Sequence, residues 1–249
     1  MVRRGFSAEA ERLAASVREE LGLGSHDRFD PRRLADEYGV LIVSIADLVA
    51  AGADPASIHQ LTIVDSGCFS AGTVLTGTGR LIIFNPVHGD GRVANSVAHE
   101  LAHLLLEHGP SPAVGAGGCR VWDQNMEDEA TLLASSLLVP RDAALACARV
   151  GLPHAIGAAR FGVSADLMRW RTDHTGATRQ AQAAARRRGR SIPRLGPSDL
   201  RSVMSTCELR WLQDITAVQW RAVLSACGRA LASGSVAALI TCLTEPAPG

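Results

Sequence analysis

The chain has 249 residues, 47% of them hydrophobic and 20% charged, which is enough for a sizeable buried core in one large domain or two modest ones and too apolar for disorder. Its formal net charge is zero, so no global field steers it towards nucleic acid or an anionic membrane. No stretch reaches the roughly 18 apolar residues of a membrane span. After Met1-Val2-Arg3-Arg4, Glu9, Glu11 and Arg12 stand where a signal peptide needs an apolar core, so a cytoplasmic location is expected.

In chain order, Ser7 is the expected N-cap of a first helix carrying Ala10, Leu13, Val17 and Leu21, which Gly22 and Gly24 end. Asp30-Pro31 opens a second helix that stops at Gly39. Val40–Ile45, Leu61–Asp65, Phe69–Leu75 and Arg80–Phe84 read as strands, with a hairpin turn at Gly77-Thr78-Gly79. From Gly91 the pattern is helical: 91–108, 125–138, 141–149, 153–160, 164–171 and 174–188. Arg186 to Pro193 reads as a linker. Beyond it, Thr216 and Gln219 form a capping box that opens a helix with Trp220, Val223, Leu224, Cys227 and Leu231 on one face. The cysteines at 68, 119, 147, 207, 227 and 242 form no C-x-x-C pair. Most of them are expected to be small core residues in a reducing cytoplasm, not disulfides or zinc ligands. Every non-histidine basic residue is Arg and Ala and Gly are abundant, the usage of a GC-rich, bacterial genome.

The chemistry concentrates at His99-Glu100-Leu101-Ala102-His103, an H-E-x-x-H pattern. On a helix, positions i and i+4 share a face, so two imidazoles can bind one tetrahedral Zn²⁺. Glu100, displaced round the helix, reaches a water at the metal and acts as general base. The remaining residues from Val97 to Leu106 are apolar, and two histidines and a glutamate on such a helix are costly without a partner. A catalytic zinc needs a third protein ligand and an open position. His108, five residues past His103, points elsewhere, and Leu106 and Gly109 exclude the H-E-x-x-H-x-x-G-x-x-H class. The third ligand is therefore expected on a second helix, from Glu127-Asp128-Glu129. Spacing alone leaves Glu127 and Glu129 both open, and acids in a first turn also complement the helix dipole.

The H-E-x-x-H helix ending in a Leu-rich run, followed by Glu127-Asp128-Glu129-Ala130-Thr131-Leu132-Leu133-Ala134-Ser135-Ser136-Leu137-Leu138-Val139-Pro140, resembles the ImmA/IrrE family of bacterial metallopeptidases. The strand Arg80–Asn85 followed by Arg92, and the N-terminal helix pair, fit as well, so the resemblance covers roughly residues 7–190. It implies an α+β fold: a zincin-like core of small sheet and active-site helices, then a helical, helix-turn-helix-like region and a C-terminal helical appendage. The expected domains are 1–145 (metallopeptidase), 146–194 (helix-turn-helix-like region and Arg-rich linker) and 195–249 (helical extension). It implies a gluzincin-like zinc endopeptidase with His99, His103 and Glu127 as ligands, Glu100 as base, and Thr131 beside the ligands where the family has Asn. Leu133 stands where the family has Phe. The implied substrate is a helix-turn-helix transcriptional repressor of a prophage, mobile element or stress response. The alternative is a non-catalytic regulator that binds a repressor or DNA through its helical half. Ala158-x-x-x-Gly162-Val163-Ser164 resembles the turn of a helix-turn-helix, but a helical bundle covering the zinc helix is the preferred reading. Arg179, Arg186, Arg187, Arg188, Arg190 and Arg194 could meet phosphates, yet without interleaved aromatics they read as a solvated helix end.

Overall fold

The computed structural model describes residues 3–77, 79–108, 123–189 and 191–192, which divide into two compact units. The first comprises the described residues of 1–23 and 29–138, the second Gly24–Arg28 and the described residues from Val139 onward. The secondary structure is mixed α+β, a small three-stranded sheet with many helices. Among the described residues no single helix is long and apolar enough to cross a membrane.

In the first unit, α1 (Phe6–Glu20) starts at Gly5, not at Ser7. Gly5 takes φ 87°, which a residue with a Cβ avoids, and this lets the buried Phe6 begin the helix. The buried stripe is Phe6, Ala10, Ala14 and Val17; Leu13 and Leu21 are only half-buried. Arg18 is also buried, and its guanidinium donates to the carbonyl of Leu137 at 2.6 Å. That carbonyl lies in the last turn of α5 (Gln124–Leu138), where carbonyls lack a partner in their own helix and a cation meets the negative end of the dipole. The contact accompanies the packing of α1 on α5.

The second helix, α2 (Pro31–Glu37), opens as expected, with the Asp30 carboxylate accepting from the Arg32 amide at 3.0 Å. It leads into β1 (Leu41–Ser44). Leu61–Asp65 is not a strand. A second Asp-Pro start, Asp54-Pro55, launches α3 (Pro55–His59), and the chain continues through a π-helical turn over Gln60–Val64. The Asp54 carboxylate accepts from the amides of Ala56 and Ser57 and from the Ser57 hydroxyl. Asn85, fully buried, donates to the carbonyls of Leu61 and Phe69, so this stretch is stapled by a side chain instead of a ladder. Ile63 and Val64, apolar enough for a strand, remain exposed.

The sheet order is β1-β3-β2, with β2 (Ala71–Thr76) antiparallel and β1 parallel to the central β3 (Gly79–Phe84). Thr76 pairs with Gly79, as the expected hairpin requires. Against β2 and β3 packs α4 (Asp90–Leu105), which also packs on α2 and α5.

The second unit is helical: α6 (Arg141–Arg149), α7 (His154–Phe161), α8 (Ala165–His174) and α9 (Ala177–Arg187). Three residues join α7 to α8. Gly162 takes φ 67°, and a Cβ there would lie 2.5 Å from the Arg28 guanidinium; Ser164 caps α8 by accepting from the Leu167 amide. The helices expected over 164–171 and 174–188 are α8 and α9, with the break between them at Gly176, which takes φ 68°. Arg171, fully buried, donates to the Val139 carbonyl at 2.7 Å. Cys147 is buried in α6 as expected, and burial pushes its thiol up to about 12. Cys68 is exposed, because it lies in the loop after the π-helical turn. Residues 195–249, with the expected Thr216–Gln219 capping box, lie outside the described residues, as do Arg190, Arg194 and the other four cysteines.

Candidate metal centre

Two helices build the site. On α4, Val97, Ala98, Leu101 and Ala102 are buried, which leaves His99 and His103 on the flank of that face. On α5, Ala130 and Ala134 are buried one and two turns after Glu127. The alanines are small, and small side chains let two packed helices approach closely. The Nε2 atoms of His99 and His103 lie 3.1 Å apart, and Glu127 Oε2 is 3.0 Å from the first and 3.5 Å from the second. The three ligand atoms all fall within 4.8 Å of one another. Ligand bonds of about 2.0–2.1 Å at tetrahedral angles separate neighbouring donors by about 3.3 Å. The observed triangle therefore suits a small divalent cation with imidazole and carboxylate ligands. Burial, and next the positive charge His99 would carry, hold the His103 imidazolium below its usual range, against the pull of Glu127 and Glu100. A neutral imidazole is the form that ligates a metal.

Glu100 is outside this triangle. Its Oε2 accepts from the Thr73 hydroxyl on β2 at 2.6 Å, so the sheet holds the carboxylate beside the centre. Thr131 comes no closer than 3.5 Å, Oγ1 to His99 Nδ1, at the outer limit of hydrogen bonding. Glu129, the other acid that spacing left open, faces away from the triangle. Its Oε1 accepts from Arg3 Nε at 3.0 Å, and its Oε2 lies 3.7 Å from His108 Nε2.

Sequence reasoning passed over two residues here. Thr73 carried no signal, because only the register of β2 on β3 and the packing of α4 bring it to Glu100. The five-residue spacing from His103 predicts that His108 points elsewhere, yet its Nδ1 lies 2.9 Å from His103 Nδ1. The cause is the end of α4. The His108 amide donates to the His103 carbonyl at 2.9 Å and the Glu107 amide to that of Leu104 at 3.0 Å, the two bonds of a Schellman cap. Such a cap needs a left-handed residue, and Glu107 supplies it at φ 52°, the sole non-glycine with positive φ among the described residues. A side chain there costs about 1–2 kcal/mol. The sequence carried no signal for it, since the left-handed position of such a cap is marked by Gly or Asn and here holds Glu107.

A search of curated proteins and a search of solved structures each found no match. Residues 63–172 do match a family model, that of the IrrE N-terminal-like domain, Peptidase M78. This stretch runs from the π-helical turn into α8 and contains Thr73, Glu100 and the whole His99–His103–Glu127 cluster. The part of the chain that carries the His99–His103–Glu127 cluster therefore matches the IrrE N-terminal-like domain of the Peptidase M78 family, in line with the ImmA/IrrE resemblance of its two motif helices.

Proposed function

We propose that the chain is a zinc-dependent endopeptidase that holds its metal through His99, His103 and Glu127 and uses Glu100 as general base. The observation that carries this reading is the convergence of two imidazole nitrogens and one carboxylate oxygen, 3.0–3.5 Å apart, inside a peptidase-family domain. Zinc bound there would polarise the scissile carbonyl and make water acidic enough to attack near neutral pH. His99 and His103 present lone pairs, and Glu127 supplies the negative charge that favours a cation. Glu100, oriented by the Thr73 hydroxyl, takes the proton of the attacking water and delivers it to the leaving amine. Thr131 Oγ1 lies 3.5 Å from His99 Nδ1, the ring nitrogen that does not face the metal in this reading.

In this reading residues 1–145 form the catalytic domain, 146–194 a helix-turn-helix-like region, and 195–249 an extension. The substrate is a protein, in the favoured case a transcriptional repressor cut at one or a few sites, and the enzyme works in the cytoplasm of a bacterium. Over a hundred residues lie beyond the ligands, more than the chemistry needs, which supports selection by exclusion of other chains.

Elemental analysis tests the centre. Wild-type protein should carry one zinc per chain, and His99→Ala should carry none; full zinc in that variant refutes the ligand set. Glu100→Gln should keep the zinc and lose on the order of 10² or more in turnover, the usual contribution of general-base catalysis. The second reading, a non-catalytic regulator acting through its helical half, draws on the three-residue turn between α7 and α8. A tight, sequence-selective shift of DNA at near-physiological salt would favour it, whereas weak binding that fades steeply with salt favours the peptidase.

A further inference from the structure

We propose that His108 is a positioning residue for the metal centre: it accepts the Nδ1–H of His103 and so commits His103 to the tautomer whose Nε2 lone pair faces His99 and Glu127. The inference rests on the zinc-peptidase reading and goes beyond it to residues outside the ligand set.

Two ring nitrogens 2.9 Å apart form a hydrogen bond only if one proton lies between them. If His103 ligates through Nε2, its single proton is on Nδ1. His108 must then accept at Nδ1, and its own proton lies on Nε2. That atom faces the Glu129 carboxylate at 3.7 Å, and the other oxygen of the carboxylate accepts from Arg3 Nε at 3.0 Å. Every proton in the row thus points outward, from His103 through His108 to an anion backed by a cation. The opposite polarity would turn the bare lone pair of His108 Nε2 towards a carboxylate, which is repulsive. Glu129 selects the tautomer of His108, and His108 selects that of His103.

The backbone accounts for the meeting of the two rings. The left-handed Glu107 turns the chain so that the His108 amide donates to the His103 carbonyl, which brings the two rings together at 5.0 Å between centroids. His99 is treated differently: among the described residues its Nδ1 has only the exposed Thr131 hydroxyl, at 3.5 Å. The row also gives Glu129 a role distinct from that of Glu127, two residues before it.

The test is zinc affinity by chelator competition on the metal-free full-length chain, with wild type, His108→Ala, His108→Gln and Glu129→Gln. His108→Ala should weaken zinc binding about 10–100-fold, the usual cost of losing a group that orients a ligand. His108→Gln, which keeps an acceptor, should recover part of the loss, and Glu129→Gln should weaken binding less than His108→Ala while leaving the His103 contact intact. Long-range ¹H–¹⁵N correlation on the zinc-loaded protein supplies a readout that a merely structural role would not move. His103 should be protonated at Nδ1 in wild type, with slow exchange of that proton that His108→Ala abolishes. Wild-type affinity in both His108 variants overturns the inference. If His108→Ala fails to fold, wild-type affinity in Glu129→Gln together with an unprotonated His103 Nδ1 in the wild-type protein overturns it. A wild-type chain that takes up no zinc overturns the peptidase reading itself and is thereby distinguished.

Discussion

Glu107→Gly should stabilise the protein, because the left-handed position after a helix C-terminus favours glycine. Glu107 is exposed and holds φ 52°, so its Cβ meets the steric penalty of the left-handed region. Removing that Cβ relieves about 1–2 kcal/mol. The added freedom of glycine in the unfolded chain takes back about 0.4–1 kcal/mol. An exposed surface side chain contributes within about 0.5 kcal/mol either way. The balance is a gain of about 0.5–1 kcal/mol, or about 1–4 °C in Tm for a cooperative unit of this size. Glu107→Ala is the control: it shortens the side chain but keeps the Cβ, and it should gain nothing. Thermal unfolding by circular dichroism on metal-free protein reads the difference. The two cap bonds and the placement of His108 should survive in the glycine variant, so its zinc affinity should match wild type. Equal Tm for the glycine and alanine variants, or a loss in Glu107→Gly, would refute the strained cap and with it the reason given for the position of His108.

Because burial and His99 hold the His103 imidazolium below its usual range, the unfolded chain takes up that proton at a higher pH than the folded one does. The contribution of His103 to stability is therefore fully present above about pH 6.5. It is lost as the pH falls through the lower folded value. Metal-free Tm should drop from pH 7.5 to 5.5, less steeply in His103→Gln; a slope of opposite sign would exclude the assignment. Thr73→Val keeps the β-branched shape but removes the donor to Glu100, an exposed charge-assisted bond of about 0.5–1 kcal/mol after discounting for solvent. Turnover should fall about 2–5-fold with zinc content unchanged, and loss of zinc would show that Thr73 serves the ligands instead. Iodoacetamide applied to native protein near neutral pH, with the labelled peptides mapped by mass spectrometry, should modify Cys68 and spare Cys147 until denaturant is added, since burial pushes the Cys147 thiol to about 12. Labelling of both at equal rates would mean that α6 opens readily.

What the sequence determined by itself was local. Asp30-Pro31 set the start of α2, because a carboxylate before a proline caps the first turn wherever it stands, and Asp54-Pro55 did the same for α3. The i, i+4 spacing put His99 and His103 on one face, since helix geometry guarantees it. Which acid would meet them was not local. Glu127 and Glu129 differ only by rotation on α5, and the packing of α4 against α5 separates them, bringing Glu127 to the two Nε2 atoms and leaving Glu129 with Arg3 and His108. The same holds for Leu61–Asp65, whose β-branched run reads as a strand. It became a helical turn because the capped α3 runs into it and the buried Asn85 takes its carbonyl. Thr73 reaches Glu100 from 27 residues away, and Arg18 reaches the end of α5 from 119. Such contacts depend on register and helix packing, which arise from the whole core at once, and no window along the chain contains them.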